Sequence, residues 1–563
     1  MYFLISFSFP GKSFMSVSGS STSGNDLKKS IAIAAVIMAG SVMLSRILGL
    51  VREMVIADFG GISSEIDAYV AAFLIPEFLN HLLAGGFLSI TFIPIFQRYI
   101  IEGRDEEAWD TFSNLLTVGT IILTILVGFA VICTDNFLWL IEWLKRIFGT
   151  SQSTMRNEEW ISLTVRLTRI ILPAQLLLYC GSFLMAVQYA YKQFLIPALL
   201  PICYNGGIIL GGIVLGKWFN MGIEGFAWGV LGGAFVGAIV IQLPGALKIG
   251  MRYNLRFNIL DPNLKKFVLL SLPFIIGMSM TFSNEFIFRF FGLMLEKGSL
   301  AGLNYAFRFM MIIVGVFGQA FAQATYPFMT QLAAEQKIKE MNKLASSVIK
   351  KTAGLAIPFS AVIFVLADII IIILFQRGHF TAAATEITAP ALSFYIIGAF
   401  AVACSTVVIR CFFAVQNTLF PMIISTVLVV GFLPLYWVAI QPLNLDYLGI
   451  PIVAALSMLF QFVLLYFLWS KENGDLSNFR RSMISVLQMT LIAVCSAGIC
   501  YGIRIALEPF VNDLHHLLSG IIILIGAGVP ALLFSFYIMQ ITGIQDLREI
   551  YISLFSRRKV PSR

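Results

Sequence analysis

Arg46 and Arg52 stand six residues apart inside an apolar stretch, SVMLSRILGLVREMVIADFG, and arginines recur inside later apolar stretches at Arg289, Arg308 and Arg410. A guanidinium stays charged at physiological pH and is costly in hydrocarbon, so it persists there only against a partner or a water-filled cavity. Its planar fork of donors suits phosphate oxygens better than a lysine ammonium does. Glu53 beside Arg52, and Glu285 one turn before Arg289, would partly balance the cations, as a carrier that must release its cargo requires. A cationic interior and an anionic cargo follow. Other roles stay open residue by residue. Arg52 and Glu53 lie near the end of their stretch and can snorkel to the interface. Glu285 and Arg289, four apart, can neutralise each other on one helix face. Arg308, between Tyr305 and Phe309, can serve packing. Arg166, Arg169 and Arg410 lie nearer segment ends and read as topology or interface residues, and Asp368 as an ion site or an interfacial carboxylate. Glu77, directly after Pro76, is expected to pair with an arginine of the first segment.

The elements that hold these residues must be membrane helices. With 58% hydrophobic and 12% charged residues over 563 positions, the chain carries more apolar surface than a soluble core can bury. Segments of about 20 apolar residues, the length that crosses a bilayer, recur almost without a break. Fourteen are expected, at 31–52, 67–97, 112–134, 163–190, 196–216, 223–247, 264–295, 299–330, 346–375, 384–415, 418–440, 448–469, 482–505 and 515–541. The fold class is an all-α polytopic membrane protein. Basic residues gather in alternate connections, among them Arg98, Arg104, Lys248, Arg252, Arg256, Lys337, Lys471 and Arg480. The positive-inside rule then puts both termini in the cytoplasm, which demands an even number of spans. The net charge of +8 is thereby explained by topology, with no nucleic-acid partner.

Residues 1–30 read as a flexible cytoplasmic tail without the basic region that opens a signal peptide, with Met15 as a second candidate start, and 546–563 as a basic cytoplasmic tail. Seven scattered cysteines, with no CxxC and no histidine neighbours, read as packing residues rather than metal ligands. Four histidines in no HExxH or HxxxD pattern, and no GxxxxGK[ST], argue against an enzyme or a built-in ATPase and for a transporter with no cofactor.

An internal repeat organises the chain. AYKQFLIP (190–197) matches AVQNTLFP (414–421) through Ala190/Ala414, Leu195/Leu419 and Pro197/Pro421, and ITFIPIFQ (90–97) has a weaker echo in AQATYPFM (322–329). The shifts are similar, so spans one to six (31–250) and seven to twelve (251–475) are expected to form two lobes in the same orientation, related by a pseudo-twofold axis around a central cavity that opens by rocking. Spans thirteen and fourteen (476–545) fall outside the repeat.

SRILGLVREMVIADFG, followed by IDAYVAAFLIPEFL, FIPIFQRY, LNYAFRFM, LFQRGHFT and FFAVQNTLFP, resembles the MurJ/MviN family, lipid II flippases of the multidrug/oligosaccharidyl-lipid/polysaccharide exporter superfamily. The resemblance runs from about Lys28 to Arg557. It implies a cargo of undecaprenyl-diphosphate-linked disaccharide pentapeptide, carried from the cytoplasmic to the outer leaflet of the bacterial inner membrane for peptidoglycan synthesis. Membrane lipids and cell-wall synthases are the other partners it suggests. By the same resemblance Arg46, Arg52 and Arg308 hold the diphosphate, Glu53 and Asp67 take the family's acidic positions, and spans thirteen and fourteen form a groove for the lipid tail. The chain departs from the family where PNLLRR is usual: PEFLNH (76–81) puts Asn80 in place of an arginine, and Gly85 replaces a glutamate. Arg289 is placed to restore the missing charge. A flippase for another polyprenyl-diphosphate glycan, such as an O-antigen or exopolysaccharide unit, is the alternative. A drug or cation antiporter fits less well, because its site needs uncompensated carboxylates. Membrane potential, a coupling ion and consumption of product all stay open as energy sources.

Overall fold

The computed structural model describes residues 24–83, 87–147, 158–511 and 514–544, and among them every regular element is helical. Eleven of these helices or helix runs, from Asp105–Asn136 to His516–Ile541, are long and apolar enough to cross a membrane. The other three expected spans fall on the helix Gly24–Gly60, on the run Ser64–Ala72, Leu74–Leu83 and Phe87–Ile101, and on Pro262–Gly292. The first helix begins at Gly24, so the last residues of the expected N-terminal tail are helical; the rest of that tail, Gly85 and the basic tail at 546–563 lie outside the described residues.

Two spans are broken where their polar residues sit. In the second span, Pro76 lacks an N–H and its ring displaces the carbonyl four residues earlier. That carbonyl, Ala72 O, accepts the Thr168 hydroxyl of the fourth span at 3.4 Å, so the break leaves no orphan. The break separates the piece carrying Asp67 from the piece carrying Glu77 and Asn80. In the ninth span the helix Ile338–Val365 gives way at Leu366 to Ala367–Phe375. Arg504 of span thirteen donates there to Val365 O at 2.9 Å and to both oxygens of Asp368 at 2.8 and 2.5 Å. Asp368 is therefore the carboxylate that fastens the added helices Leu476–Val511 and His516–Ile541 to the second lobe.

The fifth and sixth spans touch through backbone. A Cβ on Gly229 would lie 2.6 Å from Gly207 O, and one on Gly207 would lie 2.3 Å from the Cα of Gly233. Small residues at i, i+4 spacing let membrane helices approach this closely. Gly229→Leu should overpack the contact by more than the usual ~1–3 kcal/mol. A lowered melting temperature of the detergent-solubilised protein is the expected result, and an unchanged melt would show that the two helices can separate freely.

The repeat is visible in the backbone. Left-handed residues recur in corresponding turns at Gly103 and Gln336, Lys192 and Gln416, Asn220 and Asn444, Gly222 and Asp446, and Gly250 and Gly474. The turn hydrogen bonds match as well: Arg104 N to Tyr99 O with Lys337 N to Leu332 O, Gln193 N to Gln188 O with Asn417 N to Phe412 O, and Met251 N to Ala246 O with Asp475 N to Ser470 O. Pro94 and Pro327 fall inside corresponding helices. Non-glycine residues adopt φ > 0 only under constraint, so their recurrence at Lys192 and Gln416, and at Asn220 and Asn444, marks two copies of one architecture.

Candidate functional site: an arginine and carboxylate cavity between the lobes

A cavity of about 350 Å³ lies where the first, second, fourth, fifth, seventh and eighth spans meet. The first helix contributes Arg52 and Glu53, which pair at 2.5 Å. Two amides hold that pair in place. Arg52 donates to Asn205 Oδ1 of the fifth span at 3.1 Å, and Asn304 of the eighth span donates to Glu53 Oε2 at 3.2 Å. Asn205 in turn donates to Pro201 O at 3.0 Å.

Across the cavity four charges close a ring. Arg289, only 2% exposed, grips Glu77 with both terminal nitrogens, one of them at 3.0 Å, and lies 3.6 Å from Glu285. Arg308 meets Glu285 through two contacts of 3.2 and 3.4 Å and reaches Glu77 at 3.6 Å. Burying charge is tolerable only when it is paired and hydrogen-bonded, and the ring supplies both. The Nε groups of Arg289 and Arg308 are buried without an acceptor. Asn80, one turn beyond Glu77, lines the same space with Tyr69 and Tyr204. Guanidiniums that line a cavity among aromatic walls can exchange their carboxylate partners for an anion with several oxygens.

Of the residues expected in the site, Arg52, Glu53, Asn80, Glu285, Arg289 and Arg308 are brought together. Two are not. Asp67 is fully buried, but at one end of the bundle, where it accepts the backbone N–H of Gly298 at 2.7 Å and of Ala301 at 2.8 Å. It caps the helix Ser299–Val314 of the other lobe, where a carboxylate meets orphan N–H groups and the positive end of the helix dipole. Arg46 lies about 9 Å along the helix from Arg52 at 1.5 Å rise per residue. It donates to Met311 O at 3.0 Å and to Gln319 Oε1 at 2.5 Å. Its guanidinium fills the notch at Gly315, where a Cβ would come within 2.2 Å of Arg46 Cζ and where the eighth span widens into a π-helical turn. Arg46 thus joins the first span to the eighth below the cavity.

Glu77 pairs with arginines of the seventh and eighth spans instead of the first, because the helix after the Pro76 break packs on Pro262–Gly292. Asn205 and Asn304 carry no signal in the sequence beyond being amides in apolar spans. The peripheral arginines have local partners: Arg166 with Glu224 at 2.8 Å, Arg169 with Asp135 at 2.8 Å, and Arg410 over the Tyr326 ring at 4.9 Å. Outside the membrane segments, Arg98 and Arg104 hold the Glu102 carboxyl below its ordinary range by hydrogen bonding.

Contacts between the lobes flank the cavity on both sides. Toward one end, Tyr305 donates to Gly61 O at 3.0 Å and His379 N to Asp58 O at 3.0 Å, next to the Asp67 cap. Toward the other, Asn263 bonds Tyr99 and Thr111 at 3.1 and 3.2 Å, and Asn114 donates to Asn258 O at 2.9 Å.

Two pseudo-repeated helical lobes around a charged cavity define a multi-pass membrane transporter, and solved structures share this fold. A multidrug resistance MATE family transporter of the MOP superfamily, in an inward-facing conformation, shares the fold at a TM-score of 0.63 with 16% identity, over 80% of this chain and 99% of that one. A lipid II flippase MurJ in an inward closed conformation gives 0.70 with 21% identity, over 91% of this chain and all of the other. The family model for lipid II flippase MurJ matches residues 56–519, so the chain belongs to that family. A curated relative from Bdellovibrio bacteriovorus, described as a probable lipid II flippase MurJ, is 27% identical over 485 residues, 86% of this chain and 89% of the relative.

Proposed function

We propose that the chain is a lipid II flippase of the bacterial inner membrane, with both termini cytoplasmic, that carries its cargo to the outer leaflet by alternating access. One observation supports this above all: Arg52, Arg289 and Arg308 converge from three spans on one inter-lobe cavity, two of them with a buried Nε–H lacking an acceptor. A diphosphate cannot enter hydrocarbon unpaired, and bidentate guanidinium contacts replace its hydration. About 350 Å³ is at the lower end of ligand-pocket sizes. The lobes must therefore part to admit a disaccharide pentapeptide, and they close again as its diphosphate settles on the arginines. Arg46 acts in this cycle from below the cavity, by tying the first span to the eighth while the lobes are together. The polyprenyl tail stays in lipid beside spans thirteen and fourteen, where Leu487, Leu491 and Val494 of span thirteen are exposed.

The test is complementation of a strain depleted of its own lipid II flippase, with surface-exposed lipid II quantified in the same cells. Rescue is expected; failure at normal membrane levels of the chain rejects lipid II as cargo. The family resemblance puts an arginine at the position of Asn80, and Asn80 lines the cavity beside Glu77. Asn80→Arg should therefore keep or raise activity. A folded but inactive Asn80→Arg protein would instead favour a sister polyprenyl-diphosphate glycan.

A further inference from the structure

The cavity is electrically balanced. Its cations are Arg52, Arg289 and Arg308, and its anions are Glu53, Glu77 and Glu285. The first span supplies Arg52 and Glu53, the second Glu77, the seventh Glu285 and Arg289, and the eighth Arg308. The remaining titratable groups lining it, Tyr69 of the second span and Tyr204 of the fifth, are phenols, which are ordinarily neutral near pH 7. Three positive and three negative charges leave no net attraction for a dianion.

Both terminal nitrogens of Arg289 are already occupied by Glu77, and both contacts of Arg308 shorter than 3.5 Å go to Glu285. A diphosphate that takes these two guanidiniums must therefore release the two carboxylates. The pair is not free to scatter: each guanidinium also reaches the other's partner at 3.6 Å, so Glu77 and Glu285 face a common space. Two carboxylates stripped of their cations in one low-dielectric pocket cannot both stay ionised, and the stable form shares one proton between them.

We propose that cargo binding is linked to uptake of one proton by the Glu77–Glu285 pair, and cargo release to its loss. The inference rests on the diphosphate-carrier function proposed above and deepens it. Before binding, each carboxylate accepts hydrogen bonds from its guanidinium. On binding, phosphate oxygens take those N–H groups, and one proton from water on the open side bridges the freed carboxylates. The filled cavity then holds one net negative charge instead of two. On the far side the proton returns to water as the carboxylates recapture Arg289 and Arg308.

The test uses the full-length purified protein and a soluble probe, a short-chain prenyl-diphospho-N-acetylglucosamine. Both of its phosphates are esterified, so it stays dianionic, and it carries no ammonium that could substitute for a proton. Calorimetric titration in buffers of different ionisation enthalpy reads proton uptake directly. Wild-type protein should take up close to one proton per probe, and above the midpoint of the pair its affinity should fall about tenfold per pH unit as pH rises. Glu77→Gln with Glu285→Gln should take up none and bind with an affinity flat across about pH 6 to 8. Tight wild-type binding with no proton uptake, or binding that follows sodium concentration in place of pH, overturns the inference and leaves the carrier function standing. Folded wild-type protein that binds no probe at any pH removes the carrier function and the inference together. The wild-type measurement decides the matter even if the double variant fails to fold.

Discussion

Arg308→Ala is expected to abolish delivery of lipid II to the cell surface, by at least about a hundredfold, in cells that keep normal membrane levels of the protein. The guanidinium contacts Glu285 twice and reaches Glu77, and its Nε–H is buried. A charge-assisted hydrogen bond is worth about 1.5–3 kcal/mol, so a bidentate grip on phosphate is worth about 3–6, or between two and four decades in affinity. Truncation also leaves two carboxylates facing one guanidinium, which repels a dianion. Folding should survive, because the Glu77–Arg289 pair keeps its own grip. Arg308→Lys should recover only part of the activity, since an ammonium lacks the planar fork. Quantified surface lipid II, normalised to membrane-inserted protein, is the readout. Near wild-type activity of Arg308→Ala would refute the arginine site.

Asp67→Ala is expected to open the lobes at the end where Ile62 meets Gly298. Asp67 is buried and satisfies two backbone N–H groups at the start of the helix Ser299–Val314. Each buried donor left unsatisfied costs about 1–3 kcal/mol, and the helix N-terminus loses its counter-charge besides. With two donors the cost is about 2–6 kcal/mol, which moves the closed-to-open equilibrium by roughly one and a half to four and a half decades toward open. Tyr305 to Gly61 O, and His379 N and Nδ1 to Asp58 O, are neighbouring cross-lobe contacts that the variant keeps. Hydrogen exchange over residues 296–303 should accelerate by more than about tenfold in the variant. Unchanged protection there would show that the Asp67 cap does not hold this closure.

The cavity was legible in the sequence to the extent that charge in an apolar span demands company. Arg52, Arg308, Arg289 and Glu285 could be gathered in advance because each is too costly to leave facing lipid. Arg52 with Glu53, and Arg289 with Glu285, were legible as near neighbours in sequence, but the pairing of both Arg289 and Arg308 with Glu77 was not. Glu77 turns toward the seventh and eighth spans because a proline reorients its helix, and no local pattern reports that rotation. Asp67 and Arg46 show the same limit from the other side. Their charges signalled partners, but the partners are backbone groups and an amide more than 230 residues away, which have no sequence signature. The repeat was legible at the AYKQFLIP and AVQNTLFP turns because Ala190/Ala414, Leu195/Leu419 and Pro197/Pro421 are shared there around differing left-handed residues, Lys192 and Gln416, and the structure extends it to turns whose sequences have diverged, such as Gly103 and Gln336.

Those paired turns also measure history. Gly103 and Gln336 are 233 residues apart, whereas Lys192 and Gln416, Asn220 and Asn444, Gly222 and Asp446, and Gly250 and Gly474 are each 224 apart. If the halves descend from one duplicated ancestor, the length change of nine residues between them falls in one interval, between Gly103 and Lys192 or its counterpart between Gln336 and Gln416. Beyond that interval the two copies have kept their lengths through the next two spans, down to the residue that ends each lobe.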